Sequence, residues 1–116
     1  MDRLLRNSAC ILVLGSTYKK DVKDLRKSPP LVLIDVLQKA RARVDYHDPI
    51  VPYLAINGIR LNSVPVNAQA IKKYDCVIVA VDHTDVNYDL IAKNAKLIFD
   101  IKNIYKGKSA KNIVRF

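Results

Sequence analysis

The stretch CILVLG, Cys10 to Gly15, is a continuous apolar run that ends at a glycine. A second run of this kind, CVIVAV, covers Cys76 to Val81. Apolar runs without polar alternation are typical of parallel strands buried on both faces of a sheet. The shorter and more mixed segments Ala42 to Asp48 and Lys96 to Ile101 predict two further strands nearer an edge. The sequence therefore predicts a mainly parallel sheet.

Helical patterns separate these predicted strands. The segment Ser28 to Ala40 begins with a candidate N-cap and a proline at the first helical position. Leu31, Ile34 and Leu37 recur at the spacing of one helix face, with Leu33 beside them. Asn67 to Tyr74 and Thr84 to Ala95 predict two more helices. Because strands that alternate with helices need crossover connections, the predicted fold is a Rossmann-like three-layer α/β domain.

The segment Asp48 to Val66 has a weaker pattern. It contains three prolines and one glycine among short apolar pieces. Prolines of this kind interrupt regular elements, so the segment is predicted as a loop with a short strand at Ile59 to Leu61.

Composition narrows the class of protein. A chain of 116 residues that is 50% hydrophobic is expected to form one domain with one core. No run approaches the roughly 18 apolar residues of a membrane span, and the N-terminus lacks the apolar region of a signal peptide. The expected compartment is the cytoplasm. Cys10 and Cys76 lie inside apolar runs without metal-ligand spacing, which indicates buried reduced thiols.

The formal net charge of +9 favours an anionic partner. Nucleic acid, anionic lipid and a phosphorylated small molecule all fit this charge, and much of it is expected to be solvated surface. The chain lacks helix-turn-helix, RNA-recognition and zinc-finger signatures, so neither a nucleic-acid nor a membrane partner is expected.

Charge is concentrated in GSTYKKDVKDLRKSPP, Gly15 to Pro30, which holds five cationic and two acidic side chains. This stretch leaves the carboxyl end of the first strand, where ligands bind in open α/β sheets. Lys19, Lys20 and Arg26 could bind a phosphate there, together with free N–H groups of the helix that starts at Ser28. A single glycine does not make the G-x-G-x-x-G cradle of a dinucleotide.

The run VLGSTYKKDVKDLRKSP, followed by RVDYHDP, resembles the C-terminal UDP-binding domain of the UDP-glucose/GDP-mannose dehydrogenase family. The shared features are an aromatic-Lys pair, an Asp-x-Arg and a Ser-Pro at this spacing. The resemblance extends from about Cys10 to Tyr105. The tyrosine form with DVKDLRKSP is more similar to the branch that acts on UDP-N-acetylhexosamines, such as UDP-N-acetyl-D-mannosamine, than to the UDP-glucose branch.

The resemblance implies substrate-binding roles for Tyr18, Lys19 and Lys102. Tyr18 and Lys19 match the pair that contacts the nucleotide sugar, against the alternatives of a core tyrosine and a solvated lysine. Lys102 stands where the family commonly has an arginine, so the charge is kept and the planar fork is lost.

The resemblance also implies that Arg26 reaches toward NAD across a domain interface. The alternative is a salt bridge to Asp24 or Asp21. His47 and Asp48 end the second predicted strand, where a Rossmann acid would meet a ribose, but they are left out of the predicted site.

As a family member, the chain is expected to be part of an NAD-dependent enzyme that oxidises the sugar C6 alcohol of a UDP-sugar to a carboxylate. The catalytic cysteine, the NAD-binding domain and the central dimer-forming helix precede this domain in the family. Residues 1–9 are then expected to be the remnant of a linker and residues 10–116 the UDP-sugar-binding domain. The parent enzyme is expected to be at least a homodimer, and the separate domain monomeric and inactive. The alternative is a stand-alone nucleotide-binding or regulatory module without catalysis.

Overall fold

The computed structural model describes residues 9–108 and 110–115. The predicted tail at residues 1–9 therefore lies, except for Ala9, outside the described residues. The elements in the described part are β1 Cys10–Leu14, α1 Pro29–Lys39, β2 Arg43–His47, β3 Tyr53–Ile56, β4 Ile59–Asn62, α2 Ala68–Lys72, β5 Cys76–Val79, α3 Tyr88–Asn94, β6 Ile98–Asp100 and β7 Ile113–Arg115.

Five of these strands form one sheet in the order β2-β1-β5-β6-β7. Every neighbouring pair in this sheet is parallel. The four predicted strands are all present, and β1 lies inside the sheet between β2 and β5. The predicted mainly parallel sheet is confirmed.

The sheet is covered on both faces, because side chains along β1 alternate between two cores. Leu12 and Leu14 pack with Ile71 of α2 and Ile91 of α3 on one face. Val13 packs on the other face with residues of α1, such as Ile34. Each fully buried aliphatic side chain contributes about 1.5–3 kcal/mol. The three-layer, Rossmann-like α/β fold is confirmed.

The segment between β2 and α2 contains one strand more than the sequence predicted. It forms an antiparallel hairpin of β3 and β4, in which Ile56 pairs with Ile59. Asn57 and Gly58 both have positive φ, 53° and 83°, as a two-residue type I′ turn requires. The predicted strand at Ile59 to Leu61 is one arm of this hairpin. Leu54 and Ile59 are buried in the same core as α1, which explains the apolar pieces between the prolines.

A short strand near the C-terminus, β7, was not predicted. It pairs with β6, so β6 is not at the edge of the sheet while β2 is. The Asn112 amide donates to the carbonyls of Ala92 and Ala95 at 2.9 and 3.0 Å, which fixes the segment before β7 against the end of α3.

The three predicted helices are present, with later starts for α2 and α3. Asn67 and Asn87 are the N-caps of these two helices, and each side chain accepts an N–H from the first turn. Thr84, the predicted start of the last helix, instead donates its N–H to the Asp21 carboxylate at 2.8 Å. Among the described residues, no helix combines the length and apolar character needed to cross a membrane.

Gly15 ends β1 at a point where the chain has no room for a side chain. Its φ is +93°, and an added Cβ would lie 2.5 Å from the Cβ of Val81. Its N–H donates to the carbonyl of His47 at 2.8 Å, so the turn is also fixed against β2. A glycine is therefore required for the chain to leave β1 at this angle.

Candidate nucleotide-binding site

The carboxyl edge of the sheet contains a cleft at the point where the strand order reverses. From β1 the chain moves to β2 on one side, and it later returns to β5 on the other. Ligands of open α/β sheets bind at such a reversal. The cleft has a volume of about 200 Å³ and is lined by Tyr18, Pro29, Pro30, Leu33, Ala80, Ile101 and Lys102. Its walls thus come from the segments that follow β1, β5 and β6 and from the start of α1.

Residues 15–28, here called the binding loop, form the link from β1 to α1. Its base consists of Ser16, Thr17 and Ser28, which are all buried. Its tip, residues 18–27, is largely exposed. The tip closes on itself through the Tyr18 N–H, which donates to the carbonyl of Asp24 at 2.9 Å.

Tyr18 is not a core tyrosine, because 51% of it is exposed. The residue lines the cleft, and it also lines a neighbouring cleft of about 360 Å³ together with Asp24, Arg26 and Lys27. An exposed aromatic ring between two clefts can pack against a planar or sugar ring of a ligand.

Lys102 lies in the turn after β6 and lines the same cleft as Tyr18. Buried Asp100 fixes this turn by accepting the N–H groups of Ile104 and Tyr105 at 3.0 and 2.9 Å. The structure therefore brings two of the predicted substrate-binding residues together. Asp100 was not predicted as a supporting residue, although an acid at the end of a buried strand is a usable signal.

Lys19 is exposed beside Tyr18 but lines neither cleft. Its backbone carbonyl accepts the Thr17 hydroxyl at 2.7 Å, which fixes the main chain at the start of the tip. The lysine side chain is long enough to reach a ligand that protrudes from the cleft.

Arg26 makes a two-pronged contact with Asp24. Its Nε and Nη2 donate to the two carboxylate oxygens at 3.1 and 3.3 Å. These hydrogen bonds hold the pKa of Asp24 below its usual value. The salt-bridge alternative is thus present in the structure, while 89% of the Arg26 side chain remains exposed at the second cleft.

The start of α1 does not offer the free N–H groups that the sequence predicted, and this expectation is wrong. The first two helical residues are prolines, which have no N–H. The N–H groups of Leu31 and Val32 point to the carbonyl of Ser28, at 3.2 and 3.5 Å. Ser28 occupies the N-cap position, but its hydroxyl donates to the carbonyl of Ser16 at 2.6 Å instead of capping the helix. Ser28 thus joins the two ends of the binding loop.

Asp48 lies beneath the base of the binding loop and is buried. Its Oδ2 accepts the N–H and the hydroxyl of Ser16, both at 2.8 Å, and its Oδ1 accepts the Ile50 N–H at 2.9 Å. The same Oδ2 lies 3.0 Å from Nε2 of buried His83. Asp48 lines neither cleft. Its supporting role was missed.

His47 has a structural contact as well. Its Nδ1 lies 2.6 Å from the carbonyl of Val64, which connects the end of β2 to the segment after the hairpin. Like Asp48, it does not line either cleft.

Comparison with known proteins identifies the family of this chain. Residues 12–107 match the family described as UDP-glucose/GDP-mannose dehydrogenase family, UDP binding domain. A UDP-N-acetyl-D-mannosamine dehydrogenase of Methanococcus vannielii is 33% identical over 102 residues, which are 81% of this chain and 22% of that protein. A UDP-glucose 6-dehydrogenase of Rhizobium meliloti is 31% identical over 115 residues, covering 91% of this chain and 26% of that protein.

Solved structures show the same relation. The UDP-D-ManNAc dehydrogenase of Pyrococcus horikoshii superposes with a TM-score of 0.69 at 25% identity, covering 94% of this chain and 25% of that one. A GDP-mannose dehydrogenase of Pseudomonas aeruginosa has a TM-score of 0.73 at 18% identity, which shows the shared fold, and covers 97% of this chain and 29% of that one. The chain spans about a quarter of the length of these relatives. It belongs to the UDP-glucose/GDP-mannose dehydrogenase family and corresponds to its UDP binding domain.

Proposed function

We propose that the cleft between Tyr18 and Lys102 holds the UDP part of a nucleotide sugar, in an NAD-dependent enzyme that oxidises the sugar C6 alcohol to a carboxylate. The observation that carries the proposal is the position of these two side chains. They face one cleft at the reversal of strand order, in a chain of this family. The sugar nucleotide that we propose is UDP-N-acetyl-D-mannosamine, which appears in the names of several relatives.

The chemistry of the cleft fits a charged ligand with flat rings. Proline, leucine and isoleucine side chains line the cleft and would exclude water from a bound ring. The Tyr18 ring can pack on one side, and the Lys102 ammonium can bind phosphate or sugar oxygens on the other. Lys19 at the exposed tip adds a second ammonium that reaches the ligand from outside. These contacts bind and orient the substrate, and none of them breaks a bond.

NAD, when bound, supplies the hydride acceptor for the oxidation. Of the residues described, Arg26 is the one that we assign to it, because its guanidinium is exposed at the second cleft and could turn outward to a cofactor phosphate. To do so it must leave Asp24. The binding loop has one glycine and no dinucleotide cradle, so most NAD contacts must come from other parts of the parent enzyme.

The cysteines of this chain do not fit the role of the catalytic nucleophile. Cys76 lies in β5, and burial raises the pKa of its thiol to about 11. Cys10 is half-buried at the amino end of β1, the edge opposite the cleft. We therefore assign no catalytic residue to this chain and propose that the reacting cysteine lies elsewhere in a parent enzyme, which we take to be cytoplasmic and at least a homodimer.

Titration calorimetry of this chain with UDP tests the binding step. We expect saturable binding and no reduction of NAD by the chain alone. Lys19→Ala should weaken UDP binding about tenfold through the loss of a charge-assisted contact. Lys39→Ala is the matched control, since it removes the same charge at the far end of α1, where Lys39 pairs with Asp35 at 3.1 Å.

Two results would count against the proposal. A general attraction of the positive surface for polyanions would weaken similarly in both variants and fade with salt. Saturable binding of random DNA at physiological salt, with none of UDP, would overturn the proposal.

A further inference from the structure

A buried histidine is hydrogen-bonded to the binding loop. His83 follows β5 and is 1% exposed. Its ring lies between the backbone of Asp21 in the loop tip and the carboxylate of Asp48 at the end of β2. We propose that neutral His83, with its proton on Nε2, is the positioning residue that holds the binding loop for the nucleotide. This inference rests on the proposed function for the ligand and on the described contacts for the rest.

The hydrogen bonds fix which nitrogen carries the proton. The backbone N–H of Asp21 points at Nδ1 over 2.7 Å, and a backbone N–H can only donate. Nδ1 must therefore accept and carries no hydrogen. Nε2 then has the hydrogen and lies 3.0 Å from Oδ2 of Asp48. The Thr17 hydroxyl, 3.2 Å from Nε2, donates to the Lys19 carbonyl and can accept from the same N–H.

Three further groups near the ring agree with this assignment. The Asp21 carboxylate has an oxygen 3.8 Å from Nδ1, but its two oxygens accept from the N–H and hydroxyl of Thr84. The Tyr88 hydroxyl of α3 donates to the backbone carbonyl of His83 at 2.7 Å and not to the ring. The Asp48 carboxylate is shared with Ser16 at the base of the loop. In a doubly protonated ring, the hydrogen on Nδ1 and the backbone N–H of Asp21 would point at each other, and both groups are donors.

This arrangement connects the ring directly to the predicted ligand contacts. Asp21 has a φ of +58°, a conformation that its N–H bond to the ring helps to hold. Tyr18 and Lys19 precede it by three and two residues. The ring thus fixes the loop at its base through Asp48 and at its tip through Asp21. Loss of the bond at Asp21 would leave this part of the tip dependent on the contacts of the Asp21 carboxylate with Thr84.

Two variants test whether His83 acts through its hydrogen bonds or only by filling the space that its ring occupies. His83→Gln keeps one acceptor and one donor in fixed roles and cannot gain a proton. His83→Leu fills the space and makes neither bond. We expect His83→Gln to bind UDP within about twofold of the unsubstituted chain and His83→Leu to bind about tenfold more weakly. In His83→Leu, the amide of Asp21 should exchange faster with solvent while those of β1 and β5 keep their protection.

Nitrogen NMR of the unsubstituted chain tests the inference without a variant and without a ligand. We expect a neutral ring with the hydrogen on Nε2 at neutral pH. A hydrogen on Nδ1, a doubly protonated ring at that pH, or a His83→Leu chain that binds UDP as tightly as the unsubstituted one would overturn the inference. If UDP does not bind at all, the proposed function fails, whereas the tautomer and the Asp21 exchange rate still decide the role of His83.

Discussion

The base and the tip of the binding loop are built in opposite ways. At the base, buried Ser16, Thr17 and Ser28 have hydrogen bonds to Asp48, His83 and each other. At the tip, Tyr18 is half exposed and the charged side chains reach solvent. We infer that different residues of one loop determine the affinity for the ligand and the stability of the fold. Substitutions at the base should lower the free energy of unfolding, and substitutions at the tip should weaken binding with little change in stability.

Gly15→Ala should produce the largest loss of stability. The new Cβ would lie 2.5 Å from that of Val81, at a φ of +93°. We expect a loss of about 3 kcal/mol or more in the free energy of unfolding, measured by denaturant titration. Gly58→Ala is the matched control, because Gly58 also has a positive φ but no atom within 4 Å of an added Cβ. It should cost only about 1 kcal/mol. Equal losses would show that steric contact at the base is unimportant.

Asp48→Ala should be next in size. It removes the acceptor for the Ser16 N–H, the Ser16 hydroxyl and the Ile50 N–H, and it leaves His83 Nε2 without its carboxylate. A buried donor without an acceptor costs about 1–3 kcal/mol, but water that enters the space of the lost carboxylate can satisfy some of these donors. A total loss of about 2–4 kcal/mol in the free energy of unfolding is therefore expected by the same denaturant titration. If this variant is as stable as the unsubstituted chain, the residues at the base do not determine stability as we infer.

Tyr18→Ala should weaken UDP binding and leave the stability of the domain almost unchanged. The ring is 51% exposed, so the free energy of unfolding should change by less than about 0.5 kcal/mol. UDP affinity should fall about tenfold if the ring packs on the ligand. Calorimetry and denaturant titration on one preparation measure both quantities. A stability loss as large as that of Asp48→Ala would place Tyr18 among the supporting residues.

The smallest change should appear in the free energy of unfolding at acidic pH. Hydrogen bonds from Thr84 lower the pKa of Asp21 below its ordinary value of 3.8. A carboxyl group whose pKa is lowered by folding stabilises the protein above that ordinary value, and the contribution is lost as the pH falls through the folded-state pKa. Thr84→Val should therefore flatten the dependence of stability on pH below about 4. An unchanged dependence would show that the Asp21–Thr84 contact does not persist in solution.

The fold could be predicted from the sequence because its strands and helices carry strong local patterns. The apolar run of β1 and the Ser-Pro-Pro start of α1 are signals of this kind. The hairpin was missed because the prolines outweighed the Asn57-Gly58 pair, which is itself a hairpin signal. The strand β7 has only three residues, and its pairing with β6 depends on contacts distant in sequence.

The candidate site was predictable only in part. Tyr18 and Lys102 were identified through the resemblance to the family, and the fold brings them to one cleft. Asp48 and His83 are separated by 35 residues and meet only when β2 and β5 flank β1. No local pattern contains such a pairing. The prediction of free N–H groups at α1 failed because the two prolines that start the helix also remove its donors.

A chemical-shift map of the ¹⁵N-labelled chain during titration with UDP tests most directly whether the cleft binds the nucleotide. We expect the largest shift changes at Tyr18, Ala80 and Lys102 around the cleft, and little change in the amide signals of β2 and the hairpin. Shifts spread over the lysines of the whole surface, or centred on the amino edge of the sheet near Cys10, would contradict this expectation.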